Sequence, residues 1–210
     1  MAFFFTSDLH FGHRNIIDFC NRPFNSADEM NREMIKRWND KVSNNDTVIV
    51  VGDVFLCSTR EGEEHVRQLN GKKILIKGNH DRSTSVMKEC GFDEVHKQMD
   101  FYLPDGRKSL VKHYPVPNCF LKGYDVMIHG HIHLAPKVRG KHINVSTDMW
   151  NFSPISLFEI QDLSLETPTP DSCEFKINEN RIQISGEFHI DDFSEIIDKV
   201  YSEAYSLRKS

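Results

Sequence analysis

The sequence lacks the features that would tie it to a membrane, a disulfide framework or a polyanion. No apolar run approaches the roughly 20 residues that a bilayer-spanning helix needs, so no membrane partner is expected. The apolar start, Met1 to Thr6, has no basic n-region and is too short for a signal peptide. Cysteine is sparse. The five thiols (Cys20, Cys57, Cys90, Cys119, Cys173) are odd in number, scattered and without a C-x-x-C pair. That pattern excludes a disulfide scaffold or a cysteine-built structural zinc site, and it points to reduced thiols in a cytoplasmic setting. There is no excess of positive charge either. The formal net charge is −5, which argues against non-specific attachment to nucleic acid through phosphates. Internal repeats and low-complexity tracts are absent.

What remains is a chain of 210 residues, enough for one domain with a full core and a small appendage. Ala2 to Thr6 reads as a buried strand. Ser26 to Val42 reads as a helix, with Ser26 and Glu29 at capping-box spacing and Met30, Met34, Trp38 and Val42 along one face. Thr47 to Val51 is a β-branched run of the kind found in strands covered on both faces. A helix over Glu61 to Leu69, a strand over Lys72 to Lys77 and a helix capped by Ser83 or Thr84 follow. Strands then dominate: Gln98 to Leu103 and Arg107 to Lys112 around the turn Pro104-Asp105-Gly106, then Asp125 to Ile128, Lys141 to Val145 and Ile155 to Ile160. Early α/β alternation followed by a mostly β half predicts two sheets packed face to face with helices outside. The segment 165–172, rich in Pro and Thr, reads as a linker after a domain spanning 1–164. Beyond it, 173–210 reads as a small ββα appendage: a hairpin around Asn178-Glu179-Asn180, then a helix from Asp191 or Asp192. Its expected role is packing or homo-oligomer formation.

Five polar clusters fall at the ends of predicted strands: Asp8-x-His10, Gly52-Asp53, Gly78-Asn79-His80-Asp81, His113, and Gly130-His131-x-His133. Strand ends on one edge of an α/β sheet converge in space. In extended chain, residues two apart point the same way, so His131 and His133 can aim their imidazoles at one place. Together the clusters offer carboxylate, imidazole and amide donors enough for two metal ions. This donor mix suits manganese, iron, zinc or nickel. The other histidines and the cysteines read as packing or surface residues, with His13 and His129 as candidates for supporting a ligand's orientation.

At these residues the sequence resembles the calcineurin-like metallophosphoesterase superfamily, whose signature runs D-x-H, G-D, G-N-H-D/E, H and G-H-x-H. The resemblance covers roughly Met1 to Ile160. Asp-Leu-His-Phe-Gly-His-Arg-Asn and His-Tyr-Pro are also similar to small stand-alone bacterial and phage phosphoesterases. It implies a four-layer α/β/β/α sandwich that hydrolyses phosphoesters with two divalent transition-metal ions, manganese foremost. Asp8, His10 and His133 would then hold the first ion, and Asn79, His113 and His131 the second. Asp53 would bridge them, and His80 would face the leaving group as a general acid. Attack would be in line, by a metal-bridging hydroxide.

One departure bears on the substrate. Many relatives carry an acidic residue three places after the bridging aspartate, where it orients the catalytic histidine, whereas this chain has Leu56. General-acid help is therefore expected to be weaker, which favours a phosphodiester, or an ester with a good leaving group, over alkyl monoesters. A small phosphoester such as a nucleotide is the expected substrate, with phosphomonoester hydrolysis as the alternative on the same site. A nuclease acting on polymeric nucleic acid and a non-catalytic scaffold are the other two readings. The first lacks the DNA-contacting addition such relatives carry, and the second is opposed by the full ligand set. Arg14 and Arg82 follow the first and third clusters, and Arg14 is the preferred phosphate-binding residue.

Overall fold

Strands sandwiched between two layers need apolar side chains on both faces, and the early strands of this chain supply them. The structure, a computed structural model, describes residues 1–164, 174–178 and 181–185. The chain opens with β1 (Phe3–Thr6), α1 (Arg14–Phe19), α2 (Ala27–Lys41), β2 (Thr47–Val50), α3 (Thr59–Val66), β3 (Lys72–Ile76), α4 (Thr84–Glu89) and β4 (Glu94–His96). It continues with β5 (Gln98–Tyr102), β6 (Lys108–Lys112), β7 (Val126–His129), β8 (Val138–Arg139), β9 (His142–Asn144), β10 (Ile155–Ser156) and α5 (Leu157–Ser164). A hairpin of β11 (Glu174–Asn178) and β12 (Arg181–Ser185) follows, close to the expected positions. The expected linker and the tail helix lie outside the described residues.

The strands form two five-stranded sheets, ordered β10-β1-β2-β3-β4 and β5-β6-β7-β9-β8. β1 to β4 run parallel, with β10 antiparallel on the β1 edge. In the second sheet β6, β7 and β9 are parallel, flanked by antiparallel β5 and β8. Alternation along each strand then divides the core in two. Phe4, Val48, Val50 and Leu75 point to the helices, where they meet Met30, Met34 and Trp38 of α2, Val66 of α3 and Met87 of α4. Phe5, Ile49, Val51, Ile74 and Ile76 point the other way, onto Val111, Val126, Ile128 and Ile143 of the second sheet. The expected α/β sandwich of two sheets is the one observed. On the outer face of the second sheet, Leu110 and Met127 are covered by Val116, Leu121 and Tyr124, in a segment with a 3-10 turn at Asn118–Phe120.

The methionine–tryptophan stripe of α2 is core, and Ser26 caps that helix by accepting from the Glu29 N–H. Trp38 is buried and donates its indole N–H to the Asn70 carbonyl at 3.0 Å, which leaves its polar atom satisfied. α3 starts earlier than expected, because Ser58 and Glu61 form a reciprocal capping box. The predicted strand over Ile155 to Ile160 is corrected: only Ile155–Ser156 is strand, and α5 begins at Leu157. Ser156 accepts from the Glu159 N–H, while the Glu159 carboxylate accepts from the Ser156 N–H at 2.8 Å. That reciprocal cap starts a helix in mid-run. Beyond β1, the Ser7 N–H donates to the Val145 carbonyl and the Thr147 N–H to the Ser7 carbonyl, each at 3.0 Å. The two sheets are thus joined by main-chain hydrogen bonds at the end where the polar clusters lie.

Candidate metal centre

All five clusters converge at that end, and the backbone that delivers them is unusual. Asp8, His10, Asp53 and His131 all have positive φ, at 56°, 52°, 57° and 70°. For L-residues this left-handed region is sparsely populated, and each instance costs about 1–3 kcal/mol. Each has its N–H committed. Asp8 donates to the Gly52 carbonyl and His10 to the Asp53 carbonyl, both at 3.0 Å. Asp53 donates to the Asp81 carboxylate at 3.0 Å, and His131 to the Asp8 carboxylate at 3.0 and 3.1 Å. The strain is held by the centre's own bonds, and it turns the side chains inward at the strand ends.

Glycines make room for this crossing of loops. A Cβ on Gly78 would stand 2.2 Å from Asp53 Oδ1, and one on Gly52 would stand 2.3 Å from His113 Nδ1. Either would displace a donor atom. Asp81, whose carboxyl burial pushes upward, accepts from the N–H groups of Asp53, Val54 and Gly78 at 2.8–3.0 Å and so ties two of the loops together.

The donor atoms gather around Asp53. Its Oδ2 is 3.6 Å from His10 Nε2, 3.4 Å from His113 Nε2 and 3.9 Å from His80 Nε2. Asn79 Oδ1 is 3.1 Å from His113 Nε2, and the His131 ring lies 5.2 Å from the His113 ring. On the other side, His133 Nε2 is 3.9 Å from Asp8 Oδ1 and its ring stacks on His10 at 5.1 Å. The ligand atoms of Asp8, His10 and His133, and separately those of Asp8, Asp53 and His113, lie within 4.8 Å of one another. The seven expected ligands are therefore in one place.

The electrostatics suit a cation. Burial lowers the His10 imidazole to about 3, so the ring is neutral, and both of its buried nitrogens are without a hydrogen-bond partner. A buried imidazole without partners loses hydration with no compensation unless something binds it. Burial works to raise the Asp53 carboxyl, but the His113 hydrogen bond and charge and the His80 N–H outweigh it and hold it well below the usual carboxylate range. Burial likewise opposes charge on His113, yet Asp53 and Asp8 lift it to about 9. Carboxylates kept ionised beside neutral or proton-sharing imidazoles are what a divalent ion requires, and a metal would take the proton's place. The residues fit the group.

Three further features surround this set. His80 is half-exposed, tilted edge-on to His10 at 5.5 Å, and among the described residues Asp53 is its one carboxylate neighbour. Leu56, three residues after Asp53 in sequence, is apolar and offers no acidic group to the His80 ring. Arg14 is the first residue of α1 and is exposed, paired loosely with Asp18 at 3.5 Å. His129 is buried and turns its Nδ1 to the Gly130 carbonyl at 2.9 Å, outside the donor set.

Sequence reasoning missed Arg22, Asp148, Cys20 and the clamping role of Asp81. Asp148 accepts from His133 Nδ1 at 2.8 Å, and Arg22 donates to both Asp148 oxygens at 2.8 Å each. Cys20 has its sulfur within 4.8 Å of the His133 and Asp148 donor atoms. Because both Asp148 oxygens already face the Arg22 guanidinium, a cation in that trio would meet a like charge. Arg22 and Asp148 are 126 residues apart in sequence, and neither sits in a recognisable pattern.

The family model described as calcineurin-like phosphoesterase matches residues 1–177. An uncharacterized protein of Methanocaldococcus jannaschii is 36% identical over 162 residues, covering 72% of this chain and 84% of that one. The gene 66 protein of Mycobacterium phage L5 is 27% identical over 194 residues, covering 76% of this chain and 92% of the phage protein. Among solved structures, a protein of unknown function from Aquifex aeolicus, 27% identical, superposes with a TM-score of 0.64 over 77% of this chain and 98% of its own.

Proposed function

Because this chain belongs to the calcineurin-like phosphoesterase family, a family of metal-dependent phosphoester hydrolases, we propose that it hydrolyses a phosphodiester bond in a small, nucleotide-sized substrate with two divalent transition-metal ions. Manganese is the foremost candidate, with iron, zinc or nickel as alternatives. Asp8, His10 and His133 hold one ion, Asn79, His113 and His131 the other, and the Asp53 carboxylate lies between the two sets. When bound, such a pair supplies Lewis acidity and a water of lowered pKa. The observation that carries this reading is the buried His10 ring, with both nitrogens unpartnered and Nε2 facing Asp53 at 3.6 Å.

The residues divide the remaining work. His80, at the exposed rim, holds a proton at the leaving-group side. Arg14 engages a phosphate oxygen from the first turn of α1. With Leu56 in place of an orienting acid, the proton on His80 is delivered less effectively, and the preference for a diester rests on that. Turnover of bis-p-nitrophenyl phosphate against p-nitrophenyl phosphate, after loading with Mn, Ni, Fe or Zn, tests the reading, with Asp53→Asn as control. Faster hydrolysis of the diester is expected. Faster hydrolysis of the monoester would reverse the substrate preference, and no turnover with any metal would leave a scaffold.

A further inference from the structure

We infer that the buried ion pair of Arg22 and Asp148 is a positioning device for the first metal ion, one that fixes two of its ligands together, His133 through its ring and Asp8 through its main chain. The inference rests on the two-metal reading. Both side chains are almost wholly buried, at 0% and 2% exposure, so neither meets substrate. Arg22 has five N–H donors, and each has a partner. Nε and one Nη2 hydrogen go to the Asp148 oxygens, and the other Nη2 hydrogen goes to the Asp8 carbonyl at 2.7 Å. The Nη1 hydrogens go to the Leu9 carbonyl at 3.0 Å and to the Met30 sulfur. The guanidinium therefore grips the main chain at Asp8 and Leu9, where Asp8 is held at a φ of 56°.

The same cation orients Asp148, which also accepts from Ser146 Oγ at 3.2 Å. Asp148 Oδ2 then takes the Nδ1 hydrogen of His133 at 2.8 Å. A proton fixed on Nδ1 leaves Nε2, 3.9 Å from Asp8 Oδ1, as the ring atom that would give up its proton to a metal. Asp8 extends from the first sheet and His133 from the second, so one guanidinium sets the spacing of two ligands that come from opposite halves of the sandwich. The pair is electrically neutral as a unit, so it orients the ligands while adding no net charge to the site. Among the described residues no buried arginine–aspartate pair meets the Asn79, His113 and His131 set: His113 Nδ1 is paired with a main-chain carbonyl, that of Val51, at 2.7 Å. The two ligands that Arg22 and Asp148 touch, Asp8 and His133, both belong to the first set.

Calorimetric Mn titration of the metal-stripped full chain, with circular dichroism as a check on folding, tests this. Wild type should take up two equivalents; fewer than two would overturn the two-metal reading itself. In Asp148→Asn one equivalent should weaken about 10- to 100-fold, with the other close to wild type. Placed in an Asn79→Ala background, where the second set is already impaired, the same substitution should weaken the equivalent that remains. Arg22→Lys, which keeps the charge but has only three donors, should show the loss at the same equivalent, and it carries the test if Asp148→Asn does not fold. Histidine ¹⁵N spectra give a readout independent of activity: the Nδ1 site of His133 should be protonated in wild type and only partly so in Asp148→Asn. Unchanged affinities and tautomer in the folded variants would overturn the inference, as would equal weakening of both equivalents.

Discussion

His10 Nε2 lies 3.6 Å from Asp53 Oδ2, and neither nitrogen of the His10 ring has a hydrogen-bond partner. Asp53 Oδ2 also faces His113, which the proposed function puts in the other ligand set. The carboxylate is thus shared, and its loss should be felt on both sides. Asp53→Asn is expected to weaken both metal equivalents and to lower diester turnover by about a thousandfold or more, the equivalent of several kcal/mol. Metal analysis of the purified variant beside a turnover assay checks this. A variant that keeps one tight equivalent would argue against a bridging position.

His80 leads to a prediction about leaving groups. Its nearest carboxylate among the described residues is Asp53 at 3.9 Å, and Leu56 gives it no orienting partner. Rates for a series of aryl and alkyl diesters should fall steeply as leaving-group pKa rises. His80→Ala should cost about 10²-fold or less for poor leaving groups, the low end of what a general acid contributes, and far less again for nitrophenolate. A flat dependence with a chemically limited step would sink the idea.

Arg14 is bound only loosely by Asp18, so its guanidinium can turn to a phosphate at little cost. Charge reversal, Arg14→Glu, should raise KM about 10- to 100-fold, the worth of a charge-assisted hydrogen bond, while kcat stays near the wild-type value. An unchanged KM rules out phosphate binding by this residue.

Part of the acid sensitivity should arise at His129 and His142, whose rings pack 5.6 Å apart. Burial lowers His129 to about 3, and burial with the nearby Arg139 lowers His142 to about 4. Both folded values lie below the ordinary histidine value of about 6.5. Above that pH both states are neutral and the effect vanishes. As pH falls through 6.5 the unfolded chain takes up protons that the folded one refuses, so stability is lost progressively down to about 3–4. His129 alone should cost roughly 2 kcal/mol between pH 7 and 5. Urea unfolding across that range should show the slope, and His142→Asn should make it shallower.

The convergence of the five clusters was legible because they are short patterns of rare composition placed at strand ends, where their chemistry has no packing explanation. The α2 stripe was legible for the opposite reason, since Met30, Met34 and Trp38 repeat with the helical period. Arg22 and Asp148 left no such trace. Each is an ordinary charged residue until the chain folds and brings together two points 126 residues apart. Cys20 was passed over similarly, since a single thiol says nothing of the imidazole it will meet. β4 is only Glu94–His96, too short for a period-two pattern to register. α5 was hidden by a local competition, in which an apolar run that could extend a strand is diverted by the cap between Ser156 and Glu159.

Ser7 bonds through its main chain to Val145 and Thr147, riveting the two sheets beside the ligands. A sandwich fastened at one end can breathe only at the other. Sliding of one half over the other, which would pull Asp8 away from His133, is therefore resisted at its origin, and slow opening of the molecule should spread inward from the rim opposite the candidate site.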